Sequence, residues 1–173
     1  MDSEKQERFV FREIREEEAG EAARIEQLCF PPNEACKEEH MRERIGRVPE
    51  LFLVAYDKKA GRLAGFLNGI ATNEEVFRDE FFTDSSLHVP DGSHVMLVGL
   101  DVHPQYRGQG LARALVSEYV RRERARGRRR LVLTCHEEKI AMYEKMGFYN
   151  DGLSASVWGG EVWYEMSRDV KDD

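Results

Sequence analysis

Residues 95–127 constrain this chain more than any other stretch. VMLVGLDV (95–102) is a long apolar strand that reads as a central one, and HPQYRGQG leads from it into LARALVSEYVRRERARG. In that last segment Leu111, Leu115 and Tyr119 fall at i, i+4 and i+8, the spacing of an amphipathic helix, and Gly127 suits its C-terminal cap. Between strand and helix, Gly108 and Gly110 can take positive φ and put no side chain in the way. The N–H groups of the first helical turn then point at one spot, with the positive end of the helix dipole behind them. Such a turn is an anion site of the size of a pyrophosphate, and Arg107 adds a cation beside it. No Gly-Lys-Ser/Thr follows, so it is not a Walker loop, and the spacing is not GxGxxG. A glycine turn that merely caps a helix is the plain alternative.

The remaining segments set the order of elements. FVFREIR (9–15) alternates like a half-buried strand, and residues 16–30 carry Ala22, Ile25, Leu28 and Cys29 at helical spacing before Pro31 and Pro32. A second helix is expected from Glu34 to Ile45, ended by Pro49. LFLVAY, the turn DKKAG and RLAGFLNGIA make a hairpin. Residues 72–93 are polar and irregular, too long for a plain connection, and are read as functional or mobile. RRLVLTC is a buried strand, EKIAMYEKMG a short helix stopped by Gly147, and two tail strands, Tyr149 to Val157 and Glu161 to Ser167, are joined by WGG. The expected order is βααβββαβαββ, an α/β fold with helices on both faces of one mixed sheet.

Length and composition narrow the class. A chain of 173 residues, 41% hydrophobic and 34% charged, suits one globular domain over residues 1–173. No apolar run is long enough to span a membrane, and the charged N-terminus is neither a signal nor a transit peptide, so a cytoplasmic protein with no membrane partner is expected. Cys29, Cys36 and Cys135 are odd in number and lack CxxC spacing, which argues against disulfides and a metal site. The net charge of −7 disfavours nucleic acid and suits a cationic ligand, while also serving solubility. Against it stands a basic run, Arg121, Arg122, Arg124, Arg126, Arg128, Arg129 and Arg130. It reads as a nucleic-acid patch, a solvated helix end, or a contact for nucleotide phosphates; Glu123 and the lack of interleaved aromatics weigh against the first.

Arg107-Gly108-Gln109-Gly110-Leu111-Ala112 resembles the Q/R-x-x-G-x-G/A signature of the GNAT superfamily of N-acetyltransferases. LDVHPQY resembles the lead-in to that signature, AMYEKMGF (141–148) the helix and strand that hold the family's catalytic tyrosine, and the element order that of the GNAT fold, with its splayed central strands. PEL, LTCHEEKIAMYEKMGF and the WGG segment are further similar to the serotonin (arylalkylamine) N-acetyltransferase group. The vertebrate enzymes of that group carry a histidine pair where this chain has Met96 and Val98, so serotonin is not implied as substrate. The resemblance implies acetyl-CoA as co-substrate, no metal, and a small primary amine such as an arylalkylamine or polyamine as acceptor. It implies that Leu100, Asp101 and Val102 hold the pantetheine arm through backbone groups. Gly108, Gln109, Gly110, Leu111, Ala112 and Arg113, beside Arg107, would wrap the pyrophosphate. Tyr143 would face the thioester sulfur, and Thr134 would lie near the acceptor.

Aminolysis of a thioester needs a neutral amine, a polarised carbonyl and a proton for the leaving thiolate. Backbone N–H groups on the central strand suit the second task. A phenol such as Tyr143, with a pKa of about 10, stays protonated at neutral pH and suits the third; otherwise it is a core tyrosine. For the amine's proton His94, His136, Glu137, Asp101 and a water chain are all candidates. Cys135 reads as a buried thiol rather than a nucleophile, because His136 beside it on a strand points to the other face. Trp158 and Trp163 read as core or interface residues, with an aromatic acceptor pocket as the alternative. Competing functions are a protein lysine or N-terminal acetyltransferase and a CoA-binding module without catalysis. The sequence leaves the oligomeric state open between monomer and homodimer.

Overall fold

The computed structural model describes residues 3–171. The expected domain, 1–173, therefore has residues 1, 2, 172 and 173 outside the described residues. Seven strands form one mixed sheet: β1 (Phe9–Glu13), β2 (Phe52–Asp57), β3 (Arg62–Thr72), β4 (His94–Val102), β5 (Arg130–Cys135), β6 (Tyr149–Leu153) and β7 (Tyr164–Asp169). Their order in the sheet is β1-β2-β3-β4-β5-β7-β6. The helices are α1 (Ser3–Arg8), α2 (Ala19–Cys29), α3 (Glu38–Arg47), α4 (Leu111–Ala125) and α5 (Ile140–Lys145). Apart from α1, the order is the βααβββαβαββ read from the sequence.

Contacts divide the described residues into two compact units. The first takes residues 3–68 and 99–119. β1 and β2 pair antiparallel, as do β2 and β3, across the turn that Gly61 closes at φ +68. Against them α2 buries Ala19, Ala22, Ala23 and Ile25 and α3 buries Met41 and Ile45, in a core with Phe52, Val54, Leu63 and Phe66. α3 begins at Glu38 rather than Glu34, because the Glu34 and Ala35 N–H groups close a turn on the Pro31 carbonyl. In α4, Leu111, Leu115 and Tyr119 are each 2% exposed or less, and the Tyr119 hydroxyl donates to the Leu51 carbonyl at 2.9 Å.

The second unit takes residues 69–98 and 120–171. β4 and β5 run parallel, which requires a crossover such as α4 between them. Their register runs from His94↔Arg130 to Met96↔Val132, while β5 stays paired with β7 down to Cys135↔Tyr164. β4 and β5 thus separate after three pairs, the splay expected of the central strands. Ile70, Phe77, Phe81, Met96, Val98 and Val132 make this unit's core.

Residues 72–93, expected to be functional or mobile, are folded back on the end of β3. Val89 N–H donates to the Ala71 carbonyl at 2.9 Å and Ala71 N–H to His88 Nδ1 at 3.1 Å. Asp79 accepts from the Ser156 hydroxyl and from Val157 N–H, and Glu165 accepts from Phe77 N–H at 3.3 Å and the Ser154 hydroxyl at 2.9 Å. Two carboxylates therefore tie the segment to the β6–β7 connection. That connection is longer than expected, because residues 158–160 form a helical turn with Gly159 and Gly160 at positive φ.

The basic run is engaged within this unit. Arg126 and Arg128 both pair with Glu123, Arg124 donates to the Val170 carbonyl and Arg130 meets Asp169. Arg128, 4% exposed, also donates to the Pro90 carbonyl at 2.9 Å and the Gly92 carbonyl at 2.6 Å. These contacts account for most of the run as a structural helix end.

Candidate active site

The glycine turn adopts the geometry its sequence requires. Gly108 has φ +77 and Gly110 φ +81, a region that L side chains rarely adopt. A Cβ built on either glycine would meet nothing within 4 Å, so the backbone dihedral and not crowding selects glycine here. α4 begins at once with Leu111, and Ala114 N–H closes its first turn on the Gly110 carbonyl at 3.0 Å. The N–H groups of Leu111, Ala112 and Arg113 precede any partner within the helix and face outward from its positive end. Leu111 is buried and packs the turn down, Gln109 and Ala112 are half-buried, and Arg107, Gly108, Gly110 and Arg113 are exposed. Arg107 is anchored rather than loose: its Nε donates to the Val102 carbonyl at 3.2 Å. The Cys29 thiol donates to the same carbonyl at 3.3 Å.

On β4, the side chains of Leu100 and Val102 are half-buried, whereas Asp101 is fully buried. Its surroundings were not anticipated. Glu26 lies on the buried face of α2, 4% exposed, and accepts from Cys36 N–H at 2.9 Å. Arg44 donates to Asn68 Oδ1 at 2.8 Å, and Asn68 Nδ2 donates to the Gly99 carbonyl at 3.2 Å. A Cβ on Gly99 would fall 3.1 Å from Asn68 Nδ2 and 3.2 Å from Asp101 Oδ1, and one on Gly65 only 2.5 Å from the Asp101 carbonyl oxygen. The two glycines are what lets this polar cluster close. Neither carboxyl oxygen of Asp101 meets a donor. Burial, and then the carboxylate of Glu26, raise its pKa well above the ordinary range, which favours the protonated form. Asp101 is therefore a packed interior carboxyl and not a base at a rim. A signal existed in the sequence: Glu26 continues the Ala19, Ala22, Ala23 stripe at helical spacing, the wrong place for a solvated charge.

The other candidates belong to the second unit. Tyr143 lies on α5, half-buried, its ring edge-on to Phe148 at 5.6 Å, with its carbonyl accepting from the N–H groups of Met146 and Phe148. Gly147, at φ +91, turns the chain between them. Thr134 is half-buried on β5, beyond the last β4–β5 pair, and is the register partner of Glu165 on β7. Met96 and Val98 are 0% and 8% exposed. His94 is 7% exposed with Nδ1 2.7 Å from the Ser93 hydroxyl; burial first, then Arg130, hold its pKa below the usual histidine value. His136 stacks on Trp163 at 4.1 Å, Trp163 Nε1 donates to the Trp158 carbonyl at 2.9 Å, and Trp158 packs tilted against Phe82 at 4.5 Å. The two tryptophans are thus tied to each other, Trp163 buried and Trp158 half-exposed. Cys135 is buried, and burial pushes its thiol up to about 11, which fits an inert thiol. Among the described residues, no group of three or more His, Cys, Asp or Glu side chains is placed to hold a metal, and no helix is long and apolar enough to cross a membrane.

Comparison with known proteins yields a family. The sequence profile of the acetyltransferase (GNAT) family matches residues 19–148. Serotonin N-acetyltransferase of Mesocricetus auratus is 31% identical over 134 residues, 77% of this chain and 62% of that protein. Among solved structures, the loading GNATL domain of CurA from Lyngbya majuscula superposes with a TM-score of 0.79 at 13% identity, covering 94% of this chain and 98% of that one. YncA from Salmonella typhimurium, solved with its cofactor acetyl-CoA, gives 0.67 at 16% identity, with 96% of each chain covered. Likeness at such low identity speaks for the fold alone.

Proposed function

This chain belongs to the acetyltransferase (GNAT) family, and on that premise we propose that it transfers an acetyl group from acetyl-CoA to the primary amine of a small molecule. The observation that carries the reading is the turn with two left-handed glycines opening straight into the N-terminus of α4. Donors and dipole there suit a pyrophosphate, and YncA, which shares the fold, was solved with acetyl-CoA. In this reading Gly108 to Arg113, with Arg107, hold the pyrophosphate, and backbone groups of Leu100, Asp101 and Val102 hold the pantetheine arm. The same reading takes residues 1–173 as a single acetyltransferase domain, because the family match runs through stretches of both units.

The chemistry is a direct transfer. The neutral amine attacks the thioester carbon, a C–N bond forms, and the C–S bond breaks. The thiolate takes the hydroxyl proton of Tyr143, which recovers one from solvent, and the amine's extra proton leaves to water. Thr134 lies at the acceptor. Neither Met96 nor Val98 can take a proton, so either a residue such as His94 or Glu137 works through water or the amine is used in its neutral form, and this reading takes water or no base.

The tied-down segment 72–93 supports a small acceptor over a peptide, which needs an open groove. If the Phe82–Trp158 and His136–Trp163 ring pairs line the acceptor, their aromatic surface suits an arylalkylamine better than a polyamine. The test follows thiol release from acetyl-CoA across arylalkylamines, polyamines, aminoglycosides and lysine peptides. Turnover with arylalkylamines is expected. Turnover confined to peptides would make the chain a protein acetyltransferase. CoA binding with no thiol release above hydrolysis would make it a non-catalytic module.

A further inference from the structure

The residues next to the phosphate-facing turn are held by a network no motif describes. Asp57, the last residue of β2, is 0% exposed, and Tyr106, directly before Arg107, is 3% exposed. The Tyr106 hydroxyl donates to Asp57 Oδ2. Arg8 donates to both oxygens of the same carboxylate, Nε to Oδ1 at 3.0 Å and a terminal nitrogen to Oδ2 at 2.7 Å. The N–H groups of Lys59 and Ala60, at 2.9 and 3.2 Å, complete five donors to one buried carboxylate. Arg62 donates from Nε to the Tyr106 hydroxyl at 3.2 Å and from a terminal nitrogen to Gln105 Oε1. Both guanidinium groups lie over the Tyr106 ring, Arg8 at 5.7 Å and Arg62 at 5.2 Å, with Phe9 edge-on at 5.8 Å.

This arrangement exceeds what a hairpin turn needs. Gly61 N–H on the Asp57 carbonyl at 2.8 Å already closes that turn through the backbone. The segment that does need fixing is 103–107. It is a single 3-10 turn (Pro104–Tyr106), held to β3 through His103 N–H on the Ala64 carbonyl at 2.9 Å. Beyond it, Gly108 and Gly110 sit in open space. Two glycines in sequence give a backbone with many conformations, so its shape must be set from a fixed point at its start. Tyr106 is that point. Its hydroxyl is the one side-chain atom of the segment bonded to a fully buried charge. A charge-assisted bond to a desolvated carboxylate is among the stronger hydrogen bonds available.

We propose that Asp57, Tyr106 and Arg62 are positioning residues for the CoA pyrophosphate turn: they fix where residues 107–110 begin and so preorganise the N–H groups at the start of α4. The inference rests on the reading of that turn as the pyrophosphate site. Preorganisation predicts a loss of cofactor affinity without a loss of chemistry, since none of the three touches the reacting atoms.

The experiment is calorimetry of CoA with the full chain and its Tyr106→Phe variant, alongside steady-state kinetics in acetyl-CoA. Loss of the hydroxyl should raise the CoA Kd about tenfold, the weight of one hydrogen bond to a charged group. KM for acetyl-CoA should rise with it, and kcat at saturation should hold. A purely structural role would lower the unfolding midpoint and leave Kd and KM where they were; that result, in a folded variant, overturns the proposal. Should Tyr106→Phe fail to fold, Arg62→Met decides by the same criterion, because Arg62 is only half-buried and its loss breaks the bonds to Tyr106 and Gln105. Wild-type protein that binds no CoA refutes the pyrophosphate reading itself. Wild-type binding lost in Gly110→Asp but untouched in Tyr106→Phe refutes only the role of the network.

Discussion

Replacing Asp101 with Asn should stabilise the protein, and by an amount that grows with pH. Asp101 is 0% exposed, no donor reaches its carboxyl oxygens, and the carboxylate of Glu26 is its charged neighbour. Burial and that neighbour raise its folded pKa well above the ordinary 3.8. The sign follows from linkage. The folded state binds a proton that the unfolded state releases, so the stability contributed by the proton is complete below about pH 3.8 and is lost as pH rises towards the folded value. Each pH unit in that interval costs about 1.4 kcal/mol, and at pH 7 the total is at most about 4 kcal/mol. Asn presents the same shape, cannot ionise, and offers Glu26 an N–H donor where the neutral acid offers an O–H. The two proteins should therefore match near pH 4 and diverge above it, Asp101→Asn becoming the more stable as pH rises, by no more than that bound at pH 7. Urea unfolding of both at half-unit steps from pH 4.5 to 8 measures the difference, in which the linkage of every other group cancels. A gap that stays constant with pH, or a wild type more stable at pH 7, would show that Asp101 is ionised and partnered, and the reasoning would fail.

Gly110→Asp should abolish measurable CoA binding in calorimetry while the protein remains folded, because it forces φ +81 on a side chain and sets a negative charge at an anion site. Tyr143→Phe should lower kcat about a hundredfold with CoA affinity unchanged, as expected for a general acid; a variant at full rate would mean the thiolate leaves without it. Arg128→Ala should cost about 3 kcal/mol in urea unfolding, since it breaks a buried pair with Glu123 and leaves the Pro90 and Gly92 carbonyls without their donor. With two acceptor amines of different basicity, kcat/KM should rise with pH and follow each amine's own pKa; a shared break below the ordinary histidine value, lost in His94→Ala, would instead make His94 the base.

What the sequence disclosed was whatever rests on local pattern. The i, i+4, i+8 stripe of Leu111, Leu115 and Tyr119 and the glycines 108, 110, 127 and 147 act within a few residues of themselves, and each sits as read. The four-residue delay of α3 has a local cause of another kind: the Pro31 carbonyl captures the N–H groups of Glu34 and Ala35. α1 was missed because SEKQER carries no apolar periodicity at all. The polar interior was illegible for a different reason. Arg8 and Asp57 are 49 positions apart, Phe77 and Glu165 are 88, and Asp79 and Ser156 are 77. No spacing rule connects such pairs, and each of the charged residues alone looks like a surface charge. Only Glu26 gave itself away, by standing in an apolar stripe.

Asp57 and Asp101 show what those hidden contacts decide. Both are 0% exposed, both belong to the first unit, and their chemistry is opposite. Asp57 meets five donors, and Arg8 above all holds its carboxyl well below the usual carboxylate range, so it keeps its charge. Asp101 meets none, and burial raises its pKa instead. For a unit proposed to take an anionic ligand, the two outcomes serve one end. The negative charge of Asp57 is neutralised by Arg8, with Arg62 close by, and burial pushes the strand residue proposed to hold pantetheine towards its uncharged form. A chain with net charge −7 can thus present Arg107 and Arg113 beside a helix N-terminus without an uncompensated carboxylate at either of these buried aspartates. The same logic makes Asp101 the more informative of the two to mutate. Removing Asp57 strands the Arg8 and Tyr106 donors built on it, whereas Asp101→Asn keeps the side chain's shape and removes its ability to ionise.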